Sequence, residues 1–188
     1  MKHHINIVII ALRVILFAAA VMCIINLLKA YEFISTSDID NLYSYFDTLF
    51  TPIDSATLNN RKILGVPYLA NLKWIAIGFT LCYTALLIYG MLGIIQFYKC
   101  LLKIEKDQIF YHTQGNQFRK VGATVIIFAK VKYILFCFIG ILSYFDISQF
   151  FKQIPMLLSL YLIGKLILIM SYMAERGEFI KEENDLTV

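Results

Sequence analysis

Four long apolar stretches, roughly residues 7–28, 74–98, 121–145 and 155–173, divide this chain and constrain what it can fold into. Each is long enough to cross a hydrocarbon core of about 30 Å, which takes about 20 helical residues. In lipid such stretches must be helices, because every backbone N–H and C=O has to be satisfied within its own segment. The expected fold class is therefore all-α: a polytopic membrane protein built as one four-transmembrane-helix bundle. Composition agrees, with 60% hydrophobic and 16% charged residues and a mean hydropathy of +0.71. Such a chain cannot form a water-soluble globule of ordinary surface. No Pro/Gly/Ser-rich linker divides it, so a single domain over residues 1–188 is expected.

The net charge of +4 is modest, and the cations sit at the edges of the apolar stretches and inside them rather than on one polar face. Direct nucleic-acid binding is not expected from that pattern. Cys23, Cys82, Cys100 and Cys137 all lie in or beside the stretches, with no CxxC pair and no Cys/His grouping of metal-ligand spacing. They read as small packing residues. Lys2 followed by an apolar run resembles a secretory signal. No small-residue cleavage site ends that run, which continues through Ile24, Ile25, Leu27 and Leu28, so it is read as a retained first span.

Orientation follows from Lys and Arg in the short loops. The segment at 99–120 carries Lys99, Lys103, Lys106, Arg119 and Lys120, whereas the longer segment at 29–73 leans acidic. The basic loop belongs in the cytoplasm, with both termini and the tail at 174–188 on the same side. In the outer loop Leu42, Tyr45, Phe46, Leu49 and Phe50 recur on one helical face. Ser37 is a candidate N-cap, and Thr51-Pro52 ends the pattern. A short amphipathic helix is expected there, either lying at the outer interface or forming a lid.

Arg13, Lys130, Lys132 and Lys165 fall within apolar runs whose cores contain no Asp or Glu. A cation near mid-membrane costs between about 2.5 and 17 kcal/mol, depending on the reference state. Arg13 has a snorkelling route to the inner headgroups. The position of the next two lysines turns on span three, which starts either near Phe118 or later, at the inner interface. Lys165 has no short route to either surface by sequence distance. These cations can contact span residues such as Asn26, Thr80, Thr84 and Ser159. They can instead line a cavity for an anionic lipid or metabolite, or pair with a partner protein's acidic residue. No catalytic signature is present: no HExxH, GxSxG, Walker A or GxGxxG. Neither an enzyme nor a cofactor is expected. No inverted repeat suggests a transporter, although a homo-oligomer could still form a pore.

The inner loop and the tail carry a resemblance. Lys106-Asp107-Gln108-Ile109-Phe110, then Asn116, then Arg119-Lys120-Val121-Gly122, precedes the third span. The chain closes on Gly177, an acidic pair at Glu182-Glu183 and the ending Asp185-Leu186-Thr187-Val188. With four spans and this length, the chain resembles the bacterial family DUF2975. Ile109 stands where the commonest form of the loop has Pro. The resemblance implies a small inner-membrane protein of no established activity, often encoded beside a small helix-turn-helix regulator. That suggests a regulatory or interaction protein, with Phe110, Asn116, Arg119, Lys120, Glu183, Asp185, Leu186, Thr187 and Val188 as candidate docking residues. The acidic tail can fold back on the basic loop, and the two together can dock a cytoplasmic partner; the readings are compatible, since a tail released from the loop would act as a switch.

Overall fold

The computed structural model describes residues 2–35, 69–105, 114–144 and 148–187. All of them are helical: α1 (Lys2–Ser35), α2 (Leu69–Glu105), α3 (Gln114–Tyr144) and α4 (Ser148–Thr187). Each contains a segment apolar and long enough to cross a membrane, so this is an all-α, multi-pass membrane protein. The amphipathic helix expected within residues 37–51 lies outside the described residues.

The helices pack in chain order, α1 on α2, α2 on α3 and α3 on α4. They are apolar all round, so burial cannot come from one water-avoiding stripe as it does in soluble helices. Association in lipid rests on close backbone approach and on satisfied polar groups. Glycines supply the approach. A Cβ on Gly122 would lie 3.0 Å from the Gly164 carbonyl oxygen, and one on Gly93 would lie 3.1 Å from Thr124 Cβ. Around these seams sit three apolar clusters. Phe33, Phe79 and Phe136 join α1, α2 and α3 at one end. Cys100, Phe118, Val121, Ile167 and Ala174 join α2, α3 and α4 at the other. Ile9, Leu12 and Leu101 join α1 to α2.

Several helix ends differ from the expected boundaries. Helix α3 begins at Gln114, which excludes a late start for span three. Residues 99–105 and 114–120 are helical extensions of α2 and α3, so only residues 106–113 of the expected inner loop remain to connect them. Helix α4 starts at Ser148 and carries Pro155 inside it. A proline removes one ladder hydrogen bond but need not end a membrane helix, whose freed groups find other partners. At the far end Gly177 does not stop α4, which runs to Thr187. One interior glycine costs only about 1 kcal/mol relative to alanine, and Ala174, Glu175, Arg176, Lys181, Glu182 and Glu183 around it favour helix. The tail therefore continues outward and does not fold back at Gly177.

Candidate functional site

The α3–α4 seam sets the depth of the intramembrane cations. Ser171 Oγ donates to the Gly115 carbonyl at 2.6 Å, and a Cβ on Gly115 would collide with the Glu175 side chain. Seven residues along α3, Gly122 faces Gly164 and Leu168. Two small residues on each helix, Gly115 and Gly122 against Gly164 and Ser171, thus set an antiparallel register. That matched spacing is legible in the sequence, as small residues seven apart in each helix, but a reading that follows charge alone misses it.

Lys165 then lies level with Gly122, two residues from Lys120. The register gives it cationic neighbours on α3 near its own height, although it stands ten residues from both Pro155 and Glu175 in sequence. Its Nζ sits 5.5 Å from the centroid of the Tyr161 ring, one turn back on the same helix. Arg13 reaches the same layer from α1. Its Nε and Nη2 donate to Tyr98 Oη at 3.1 and 2.7 Å, and its guanidinium carbon lies 5.4 Å from that ring's centroid. Next to Tyr98, Phe97 meets Phe118 edge-on at 6.1 Å, and Cys100 Sγ is 3.1 Å from Gln117 Oε1. Tyr98 is therefore level with the first turns of α3. Arg13, Arg119, Lys120 and Lys165 occupy one layer about a helical turn thick, and all four are exposed.

Lys130 and Lys132 belong near the middle of α3 and diverge. Two residues turn a helix by about 200°; Lys130 is exposed and Lys132 half-buried. The Lys132 ammonium lies 3.1 Å from Met156 Sδ and 5.5 Å from the Phe136 ring centroid. Both contacts suit a cation without pairing its charge. The recess around it, lined by Ala129, Tyr133, Gln153 and Leu157, encloses only about 10 Å³, room for about one water molecule. It is too small for a metabolite, and Lys130, Lys132 and Lys165 do not converge on one cavity. The hydroxyls expected to help them are engaged elsewhere. Thr80 donates to the Ala76 and Ile77 carbonyls, Thr84 to Thr80 and Ser159 to Pro155. Asn26 is buried, and its Nδ2 has no hydrogen-bond partner.

The docking residues divide between two elements. Asn116, Arg119 and Lys120 are exposed in the first two turns of α3. Glu183 is exposed, and Asp185, Leu186 and Thr187 fall in the last turn of α4. Phe110 and Val188 lie outside the described residues. Beyond Glu175, where α3 begins alongside, α4 continues over residues 176–187 for about 18 Å. Phe179 and Ile180 are 55% and 56% exposed on this extension. No group of three or more His, Cys, Asp or Glu that could hold a metal ion occurs among the described residues.

A family model described as "Protein of unknown function (DUF2975)" matches residues 38–188, most of the chain. No curated protein and no solved structure matches.

Proposed function

From the premise that the chain belongs to the DUF2975 family, we propose that it is a regulatory membrane protein whose extended α4 docks a cytoplasmic partner. The observation that supports this is the unbroken run of α4 past its last contact region with α3, with Phe179 and Ile180 exposed beside Glu178 and Glu183. An exposed Phe-Ile pair on an acidic helix extending from the basic end suits a partner groove: apolar anchors supply affinity and flanking charges supply register. Glu182 and Asp185 add to the acidity in sequence, so the matching surface is basic.

The partner implied by the family resemblance, a small cytoplasmic helix-turn-helix regulator, fits that chemistry. A DNA-binding face must be basic to meet phosphates, and an acidic helix competes for it. On this reading the protein holds the regulator at the inner membrane, with both termini in the bacterial cytoplasm and no catalysis of its own. A photo-crosslinking amino acid at Phe179, introduced in living cells, tests it. The expected adduct is to a small basic DNA-binding protein, and Glu182→Lys with Glu183→Lys abolishes it. An adduct only to lipid or to a second copy of this chain overturns the reading.

A further inference from the structure

The α3–α4 seam has two sides. On one, Val121 of α3 and Ile167 and Ala174 of α4 close against Cys100 of α2. Residues about a quarter turn from the facing glycines in the other direction are turned away from α2, and three of them are cations. Arg119, Lys130 and Lys165 all lie on this outer side, and all are exposed. Arg119 and Lys165 are separated by about 5 Å in height, and Lys130 stands about 12 Å farther along the same face. Helix α3 contains no Asp or Glu, and α4 has none before Glu175. Among the described residues no hydrogen bond or ion pair engages Arg119, Lys130 or Lys165.

The rest of this face is apolar. Ile127, Ile134, Leu158 and Leu162 are all exposed on it. An adjacent pair of cations at the end of a greasy face is what a phospholipid requires, with phosphate against the charges and chains along the apolar side chains. Basic pockets between membrane helices at an interface bind anionic headgroups for this reason. The Tyr161 ring under the Lys165 ammonium holds that charge near the seam without neutralising it.

We propose that the outer face of the α3–α4 seam binds an anionic phospholipid, with its phosphate between Arg119 and Lys165 and its acyl chains along Ile127, Ile134, Leu158 and Leu162. Lys130 reaches toward the same phosphate from deeper in the bilayer, which gives an otherwise costly cation a route to a counter-charge. The site does not use the α4 extension, so it stands or falls separately from the partner reading.

The protein's single tryptophan, Trp74, is at the opposite end of α2 and would obscure a local signal. Full-length protein carrying Trp74→Phe and Tyr161→Trp is reconstituted into bilayers with brominated phosphatidylglycerol or brominated phosphatidylcholine, and tryptophan quenching is measured. Phosphatidylglycerol is expected to be preferred. Each cation removed should lower the preference about fivefold, so Arg119→Gln with Lys165→Gln removes most of it, while Lys165→Arg retains it. Unchanged helical circular dichroism shows that the double variant is folded. Equal quenching by the two lipids in the parent overturns the proposal, as does an unchanged preference in the folded double variant. Displacement of the lipid by soluble glycerol phosphate also overturns it, because the site would then recognise a free phosphate.

Discussion

At Gly122 an added Cβ would meet Leu168 Cγ at 2.9 Å and the Gly164 carbonyl oxygen at 3.0 Å. The second neighbour is backbone and can move only if α3 and α4 separate. Gly122→Ala is therefore expected to destabilise the protein by about 1–3 kcal/mol, the usual cost of overpacking. A Cβ on Gly78 would meet nothing within 4 Å, and Gly78→Ala should stabilise by about 0.5–1 kcal/mol through the lower entropy of the unfolded chain. Unfolding titrations with a denaturing detergent separate the two. Equal shifts would mean that the glycine seam is not a close contact. Ser171→Ala, which removes the bond to the Gly115 carbonyl, is expected to cost about 0.6–1.7 kcal/mol in the same assay.

At the scale of helices, register decides what the cations do. Helix α3 meets α2 through Gly93, whose added Cβ would be 3.1 Å from Thr124 Cβ, a few tenths of an ångström inside the roughly 3.5–4.5 Å a disulfide spans. With the native cysteines replaced, Gly93→Cys and Thr124→Cys should cross-link readily under mild oxidation. Gly93→Cys with Val131→Cys, two turns away, should not. Cross-linking of the second pair alone would displace α3 along α2 by about 10 Å and take Arg119 out of the layer of Arg13. The same register accounts for Lys165. Sequence distance from Pro155 and from Glu175 suggests a mid-membrane lysine, because each apolar run is then centred separately on the bilayer. Packing centres the helices on each other, and Gly164 against Gly122 draws Lys165 to the height of Lys120.

For the whole molecule, Ser35 closes α1 at one end and Asn116 lies in the first turn of α3 at the other, and both are exposed. Single cysteines at these two positions, in a background without Cys23, Cys82, Cys100 and Cys137, should label from opposite sides of the membrane. Asn116→Cys is expected to react from the cytoplasmic side and Ser35→Cys from outside. Labelling of both from one side would sink the proposed topology. Gly115, one residue earlier, is unsuitable for such a probe because its Cβ would strike Glu175. Truncation after Gly177 should leave insertion intact, since the spans supply its energy, while the basic cytoplasmic partner no longer co-purifies with the protein.

The four spans and the all-α class were legible in the residues, because a hydrocarbon core leaves an apolar run of about 20 residues no other backbone solution. The family resemblance was also legible, in the loop and tail residues from Lys106 to Gly122 and from Gly177 to Val188. Candidate cations could be named one by one, since hydropathy flags each as an exception within its run. Their grouping could not be read, because relative helix height depends on contacts between residues far apart in sequence, such as Ser171 with Gly115. The fate of Gly177 was likewise undecided by local signals, where a penalty of about 1 kcal/mol opposes strong helix formers on both sides. Tertiary structure decided that Arg13, Arg119, Lys120 and Lys165 share a layer while Lys130 and Lys132 diverge, because glycine-to-backbone contacts admit one sliding position of α4 on α3, and helical rotation turns residues two apart toward different surroundings.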